Sequence, residues 1–161
     1  MNIWKRIRSL SPKQLIQLGW LFVSHPLLIR PTLQATRQTM KICDALYGKR
    51  HHKNGKANAF RHALWNVLIC QKTVKWTKNE AKSVKWSQKV TDLHEKLAPN
   101  ASLETAMDLH NNEIGRRLFS MISTQNDAKT VEIVQKSVLN AQKVTTIEDF
   151  EQFKDQLLYL E

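Results

Sequence analysis

The sequence predicts an all-α fold, a single compact bundle of about seven helices in which the third helix is central and buried. Apolar residues recur at spacings of three and four, and no segment alternates convincingly with the period of two that is typical of strands. Four glycines and four prolines leave little room for a turn-rich all-β fold. In "NAFRHALWNVLIC" apolar residues occupy nearly the whole helix circumference, which is typical of a buried helix.

Length and composition are those of one globular domain. A chain of 161 residues is long enough to bury a hydrophobic core, and an apolar fraction of 42% excludes an intrinsically disordered chain. We predict one helical domain over 1–161. It consists of a basic N-terminal half, 1–60, motif-bearing helices, 58–121, and acidic C-terminal helices, 126–161.

Proline and glycine delimit the first two helices. Ser11 followed by a proline is a typical helix start, which places the first helix over about 12–24. The second helix is expected over about 31–47, where Gly48 can end it.

A basic loop, "GKRHHKNGKAN", precedes the third helix, which is expected over about 58–74. The glycine spacing of this loop and the missing Ser or Thr after its lysine exclude a phosphate-binding P-loop. His51 and His52 in this loop are expected to titrate in solvent.

Capping and turn residues predict the remaining helices. "TKNE" at 77–80 is a capping box that opens a fourth helix ending near Leu97, and Ser102 can cap the fifth. The sixth helix is expected over about 127–142, after "TQND". The seventh, capped by "TTIE", is expected to run nearly to the C-terminus.

The net charge of +11 is distributed unevenly along the chain. Residues 1–60 hold eleven Lys or Arg and one acid, a net of +10, whereas 61–100 contribute +5 and 101–161 contribute −4. A basic front of this kind either binds an anionic partner or is a solubilising face that balances the acidic C-terminal third. The partners we expect are an anionic small molecule or a lipid headgroup, with nucleic acid a weaker alternative.

The N-terminal segment predicts neither a cleaved leader nor a membrane anchor. "MNIWKRIRSL" imitates the basic part of a signal peptide, but polar residues interrupt the following stretch before it reaches the roughly 18 apolar residues of a membrane span. Cys43 and Cys70 form no CxxC pair and are interpreted as reduced core thiols. We therefore expect a cytoplasmic protein, with a peripheral position at the inner membrane surface as the alternative.

The fifth helix, "LETAMDLHNNEIGRRLF", carries a dense polar cluster beside its apolar face. At about 100° per residue, His110 falls on the core stripe, Asn111 borders it, and Asp108 and Glu113 lie on opposite flanks. A buried imidazole needs hydrogen bonds or a ligand, so His110 is either a structural core histidine or part of a site.

The third helix carries a polar line on an otherwise apolar surface. Asn58, His62 and Asn66 are spaced four apart, and Arg61 lies beside them. Such a line either surrounds a site or pairs with another polar line in a structural network. Arg61 has the chemistry to bind a carboxylate or a phosphate.

The fourth helix adds a His-Glu pair. His94 borders the apolar stripe that contains Trp86 and Leu93, whereas Glu95 turns away from that stripe on the helical wheel. His94 is therefore the stronger candidate for an interior site and Glu95 the weaker one. The alternative is a solvated pair near a helix end.

Together, the three helices predict a site that acts either through a divalent metal or through acid-base chemistry. Three His or carboxylate ligands and a water suit zinc, manganese or iron. Without a metal, a histidine oriented by Asp108 can serve as a general base while an arginine stabilises an anion. The catalytic candidates are His62, His94, Asp108, His110, Arg61 and Arg116. The ligand-binding candidates are Asn66, Asn111, Asn112 and Glu113. The metal-ligand candidates are His62, His94, Asp108 and His110.

The motifs "NAFRHALWN", "DLHEK" and "MDLHNNEIGRRL" resemble those of a family of uncharacterised bacterial all-α domains. In that family the domain also occurs at the ends of larger secreted, toxin-like proteins, which implies an enzymatic or effector origin. The matching positions are Arg61, His62, Trp65, Asn66, His94, Glu95, Asp108, His110, Asn111, Asn112, Gly115 and Arg116. The resemblance implies site residues and brings no established chemistry with it.

Two functions follow from these patterns. The first is a hydrolase-like domain whose site lies between helices three, four and five and acts on an anionic phosphoester or lipid headgroup. The second is a non-enzymatic binding module, in which the polar cluster is a structural network and the basic face holds an anionic partner.

Overall fold

The computed structural model describes residues 11–97 and 101–161. These residues form seven α-helices with α3 at the centre, and the predicted all-α fold is confirmed. The helices are α1 Pro12–Ser24, α2 Pro26–Tyr47, α3 Lys56–Thr77, α4 Glu80–Leu97, α5 Ser102–Ile122, α6 Asp127–Leu139 and α7 Asp149–Gln152. A 3-10 helix, Gly48–His52, connects α2 to α3, and two short strands, β1 Gln142–Lys143 and β2 Leu158–Tyr159, lie near the C-terminus.

The third helix is the centre of the bundle, as its composition predicts. It contacts α2, α4, α5 and α6, and residues from Ala59 to Cys70 on several of its faces are buried. A helix with apolar side chains on nearly every side is stable only when neighbours cover it all round. Its polar residues are therefore held in the interior, where they need partners from other helices.

The second helix begins five residues earlier than the sequence predicts, at Pro26 instead of Pro31. Pro26 occupies the first turn, where its missing N–H costs no helical hydrogen bond. Pro31 lies inside the helix, and its buried face packs in the core with Thr32 and Ala35. Burial of this face outweighs the hydrogen bond lost at Pro31. Gly48, with φ 54°, ends the helix as predicted.

The predicted caps of the fourth, fifth and seventh helices are wrong. The seventh helix begins at Asp149, after the predicted "TTIE" cap, and no side chain of the described residues caps it. The first two errors have a common form. The side chain of Asn79, not that of Thr77, accepts the Lys82 N–H at the start of α4 (2.9 Å). Thr77 Oγ1 instead lies 2.7 Å from Ser83 Oγ. Ser102 is already the first residue of α5, and within the described residues no side chain caps that helix. Both corrections shift a helix start by one or two residues.

The C-terminal segment differs most from the prediction. The sixth helix ends at Leu139 instead of 142, and the seventh is a single turn instead of a helix that reaches the C-terminus. The chain then returns so that β2 pairs in parallel with β1, with Gln142 opposite Leu158. Asp149 Oδ2 accepts the Thr145 N–H at 2.8 Å. This hydrogen bond closes a turn over residues that the sequence predicts to be helical.

The loop predicted between the second and third helices is the 3-10 helix, and it buries one of its two histidines. His51 is buried and its Nε2 lies 2.9 Å from Asp44 Oδ1, which corrects the expectation that it titrates in solvent. His52 is exposed, as expected. His51 pairs with Asp44 of α2, and the exposed His52 packs its ring against that of His51.

Both cysteines are buried thiols. Cys43 and Cys70 are not disulfide-bonded, and burial raises the pKa of each to about 12, so both are protonated at neutral pH. The interpretation as reduced core thiols is confirmed. None of the helices in the described ranges has the length and apolar character to cross a membrane.

Candidate functional site

His62 on α3 lies at the centre of a buried polar cluster shared with α4 and α5. Its Nδ1 lies 3.0 Å from Asn112 Oδ1, and the same oxygen accepts a hydrogen bond from Asn66 Nδ2 at 2.8 Å. Because Asn112 Oδ1 is an acceptor for both neighbours, His62 Nδ1 carries the proton and donates. The lone pair of a neutral His62 is therefore on Nε2.

The Nε2 atom of His62 faces Asp108 and Arg61. It accepts from a guanidinium N–H of Arg61 at 2.8 Å and lies 3.2 Å from Asp108 Oδ1. Asp108 Oδ1 is buried and makes no hydrogen bond to any described residue. An imidazole lone pair and a carboxylate oxygen at this distance repel unless a proton or a metal cation lies between them.

Glu95 on α4 completes a three-residue group. Its Oε1 accepts from Asn112 Nδ2 at 3.3 Å and lies 3.8 Å from His62 Nδ1. Each of these residues contributes one ligand atom, and the three atoms, from His62, Glu95 and Asp108, lie within 4.8 Å of one another. The three residues are 2%, 4% and 3% exposed, so their mutual electrostatic interactions are weakly screened. This group could hold a metal ion.

Burial shifts the protonation of this group. The pKa of Asp108 is raised to about 7, first by burial and then by the charge of Glu95, while the Arg61 guanidinium opposes the rise. Burial and the Arg61 charge hold the pKa of His62 well below its ordinary value. At neutral pH the imidazole is consequently neutral, which is the form that binds metals and accepts protons.

A second set of hydrogen bonds fixes the amides that orient His62. Arg116 donates to Asn66 Oδ1 at 3.1 Å and to Thr91 Oγ1 at 3.3 Å, and Ser87 Oγ donates to Asn66 Oδ1 at 2.9 Å. These bonds orient the Asn66 amide, whose N–H group in turn fixes Asn112. Arg116 is thus tied to neutral partners in the interior, and burial lowers the pKa of its guanidinium.

Arg61 is the least buried of the charged side chains that surround His62. One guanidinium nitrogen donates to the His51 carbonyl at 2.6 Å while the other reaches His62. Burial lowers the pKa of Arg61, and the neighbouring Asp108 opposes this change. A partly exposed guanidinium beside a buried ligand group is placed to meet an anion that approaches from solvent.

Of the ten predicted site residues, six are brought together, three (His110, Asn111 and Glu113) lie elsewhere, and His94 lies close enough for its charge to lower the pKa of His62. Arg61, His62, Asn66, Asp108, Asn112 and Arg116 form the cluster described above. His110 is turned toward the C-terminal segment instead, where its Nε2 lies 2.8 Å from the Gln156 carbonyl and its ring packs edge-on against Phe150. Glu113 is exposed and forms an ion pair with Arg117. Asp108 and His110 are about 200° apart around the helix, so they cannot both face His62.

Asn111 holds the C-terminal segment in place. Its side chain accepts the Leu158 N–H at 2.8 Å and donates to the Leu158 carbonyl at 2.9 Å. These two hydrogen bonds occupy backbone groups of β2 that a neighbouring strand would otherwise bind, and they anchor β2 to α5. Asn111 is therefore placed as a structural residue, outside the cluster around His62.

The fourth helix reverses the predicted ranking of its two candidates. The ring of His94 packs edge-on against Trp65 and is partly exposed, while Glu95 is buried in the ligand group. His94 is close enough for its charge to lower the pKa of His62. Sequence reasoning missed a second polar line, on α4, whose residues are spaced four apart. All of them are buried, and they face the polar line of α3: Ser83, Ser87, Thr91 and Glu95.

A second group of potential ligands surrounds the 3-10 helix. One ligand atom each from Asp44, His51 and His52 lie within 4.8 Å of one another, but two of these residues are exposed. His51 already pairs with Asp44, and its ring stacks on that of His52 with centroids 4.0 Å apart. The group around His62 is the better candidate because all three of its residues are buried, so that their charges are weakly screened.

Comparisons with known proteins identify the chain only at the level of a family. A family model described as "Domain of unknown function (DUF6973)" matches residues 19–142, most of the chain. This match agrees with the predicted membership of an uncharacterised family. No curated protein and no solved structure matches the chain.

Proposed function

We propose that this chain, which belongs to the DUF6973 family of domains of unknown function, is a metal-dependent hydrolase of an anionic phosphoester or lipid headgroup. His62, Glu95 and Asp108 are the proposed ligands of one divalent cation, and Arg61 is the proposed contact for the substrate. The single observation that carries the proposal is the convergence of these three buried ligand atoms within 4.8 Å, contributed by three helices.

A cation explains features of the cluster that a closed hydrogen-bond network does not. It would replace the Arg61 N–H at the Nε2 lone pair of His62, which would leave that guanidinium group available to a substrate. It would compensate Asp108 Oδ1, which is buried without a hydrogen bond to the described residues. It would also offset the repulsion between Glu95 and Asp108 that contributes to the raised pKa of Asp108. One imidazole nitrogen and two carboxylate oxygens suit zinc, manganese or iron.

The proposed reaction uses a small set of groups. A divalent cation held by His62, Glu95 and Asp108 would supply a water molecule of lowered pKa as the nucleophile for hydrolysis of the P–O ester bond. The proton of that water would balance the charge of the departing alkoxide. Arg61 neutralises charge on the phosphoryl oxygens, which is the role a partly exposed guanidinium at this position supports.

The second candidate function is a non-enzymatic binding module with a structural polar cluster. It is favoured by the bonds among Asn66, Arg116, Thr91 and Ser87, which satisfy one another within the bundle interior. In this case the basic N-terminal half would hold the anionic partner.

Metal analysis separates the two functions. We expect protein purified without chelator or metal-affinity tag to hold about one zinc, manganese or iron ion per chain, by mass spectrometry of the metal content. His62→Ala and Asp108→Asn should lose the ion, whereas Glu113→Gln, an exposed carboxylate on the same helix as Asp108, should retain it. Folded protein that binds none of these ions when they are added back would exclude the metal-dependent hydrolase.

A further inference from the structure

The first helix exposes a row of large apolar side chains that its position in the bundle does not bury. Ile16, Trp20 and Val23 are 72%, 72% and 75% exposed, and Leu27 at the start of α2 is 67% exposed. Within α1 the spacing of four and three places them on one face of the helix. We call Ile16, Trp20, Val23 and Leu27 the apolar ridge. Single exposed apolar residues are common, but a contiguous row that includes a tryptophan marks an interaction surface.

Cationic side chains line two grooves near the apolar ridge. One groove includes Trp20 itself and contains Lys89 and Lys96, with Asp92 as its acid. The other begins at Pro26, next to Leu27 in the chain, and contains Leu33, Arg30 and Arg37. The four cations are exposed, so both grooves present positive charge that complements an anionic surface.

A cavity of about 180 Å³ lies between α1, α2, α3 and α4, and it shares Leu21 with the groove beside Trp20 and Leu33 with the other groove. The side chains of Trp65 and Trp86 also line it. Both indole N–H groups are already used, since they donate to threonine hydroxyls of α2 at 2.9 and 2.8 Å. The cavity therefore presents mainly apolar surface next to both grooves.

We propose that the apolar ridge, together with Arg30, Arg37, Lys89 and Lys96, docks this protein onto an anionic lipid bilayer. The ridge side chains insert at the level of the headgroups, where a tryptophan ring is favoured, while these cations contact the lipid phosphates. The apolar cavity then faces the acyl region. The docking surface does not depend on the proposed hydrolase activity, because none of these residues belongs to the cluster around His62.

Flotation with lipid vesicles tests the docking surface. The full chain should float with phosphatidylcholine vesicles that contain phosphatidylglycerol and bind pure phosphatidylcholine much more weakly, and added salt should reduce the binding. Reversal of Arg30 and Arg37 to Glu should lower the partition coefficient by roughly tenfold or more, since each cation near an anionic surface contributes about fivefold. Reversal of Lys143 and Lys154 is the matched control and should change it little.

The apolar contribution has its own pair of variants. Trp20→Glu with Val23→Glu should abolish flotation, whereas Leu139→Glu, at a leucine that is also 75% exposed, should leave it intact. Thermal melting of each variant checks that the bundle stays folded. Absence of binding to anionic vesicles would overturn the proposal. So would a Trp20-dependent dimer in analytical ultracentrifugation without lipid, because the ridge would then be an interface between two copies of the chain.

Discussion

Gly115 on α5 lies directly against the backbone of Ala63 on α3. A Cβ atom placed on Gly115 would be 2.5 Å from the Ala63 carbonyl oxygen and 2.8 Å from its Cα, closer than real Cβ atoms come. Since the neighbouring atoms belong to a backbone, no side chain can move aside. The contact sets the distance between α3 and α5, and with it the position of His62, the residue next to Ala63, relative to Asp108 and Asn112.

Replacement of this glycine should therefore separate the two helices. We expect Gly115→Ala to lower the free energy of unfolding by about 2–3 kcal/mol, as overpacking in a core does. Denaturant unfolding measures the change. Gly19→Ala is the matched control, because Gly19 is also helical but faces open space in the described part of the chain. That variant should be neutral or slightly stabilising through helix propensity. Equal stability of Gly115→Ala and the native chain would contradict the close approach.

The raised pKa of Asp108 predicts a pH-dependent stability in the metal-free protein. Burial raises this pKa from 3.8 to about 7, so the folded state binds the proton more tightly than the unfolded chain does. Stability is then lost as the pH rises from about 4 to about 7, and the loss is complete above this range. Asn cannot ionise. Asp108→Asn should consequently be more stable than the native chain at pH 8 by roughly 2–4 kcal/mol.

Melting curves across pH give this comparison, and the difference should close toward pH 4. The contribution of His62 to the pH dependence of stability has the opposite sign. Its lowered pKa makes the folded state lose stability as the pH falls below 6.5. Because His62 Nε2 lies 3.2 Å from Asp108 Oδ1, the two titrations are coupled, and the clearest comparison is at pH 8, where His62 is neutral in both the folded and the unfolded state. A lower melting temperature of Asp108→Asn at every pH would instead assign Asp108 to a structural network.

The revised ligand set predicts which residues control metal content. Glu95→Gln should lose the ion because it removes one of three buried ligands, whereas His110→Ala should retain it, since His110 bonds to the Gln156 carbonyl. Titration with zinc and manganese, followed by calorimetry, measures both affinities. Loss of the ion in His110→Ala together with its retention in Glu95→Gln would contradict this ligand set. It would favour the ligands that the sequence predicts, which include His110.

Asn111 is predicted to stabilise the C-terminal segment without affecting the site. Asn111→Ala removes both hydrogen bonds to Leu158 and leaves two buried backbone groups unpaired, which should cost roughly 1–3 kcal/mol per group. Amide exchange of Leu158 should accelerate while metal content stays unchanged. Asn140→Ala, at an exposed asparagine, is the control. Unchanged protection of the Leu158 amide in Asn111→Ala would contradict the anchoring role.

The sequence alone predicts part of the candidate site. The polar lines of the third and fifth helices pointed to His62, Asn66 and Asp108 because a buried helix must pair its polar residues. The resemblance to a known motif set matched these positions, together with Arg61, Asn112 and Arg116. The sequence ranks Glu95 too low because hydrophobic periodicity indicates only the apolar stripe of α4 as a buried face. The neighbouring face, which carries Ser87 and Thr91, is buried as well, and its small polar side chains give no apolar signal.

Periodicity alone determined the all-α class and the central position of α3, because a helix that is apolar on all sides must be covered on all sides. Tertiary structure alone decided the direction of His110, the burial of His51 and the course of the last twenty residues. Each of these depends on one contact with a distant segment: the Gln156 carbonyl, the Asp44 carboxylate and the Asn111 side chain. A helical wheel gives the order of residues around one helix. It carries no information about which distant segment supplies the hydrogen-bond partner.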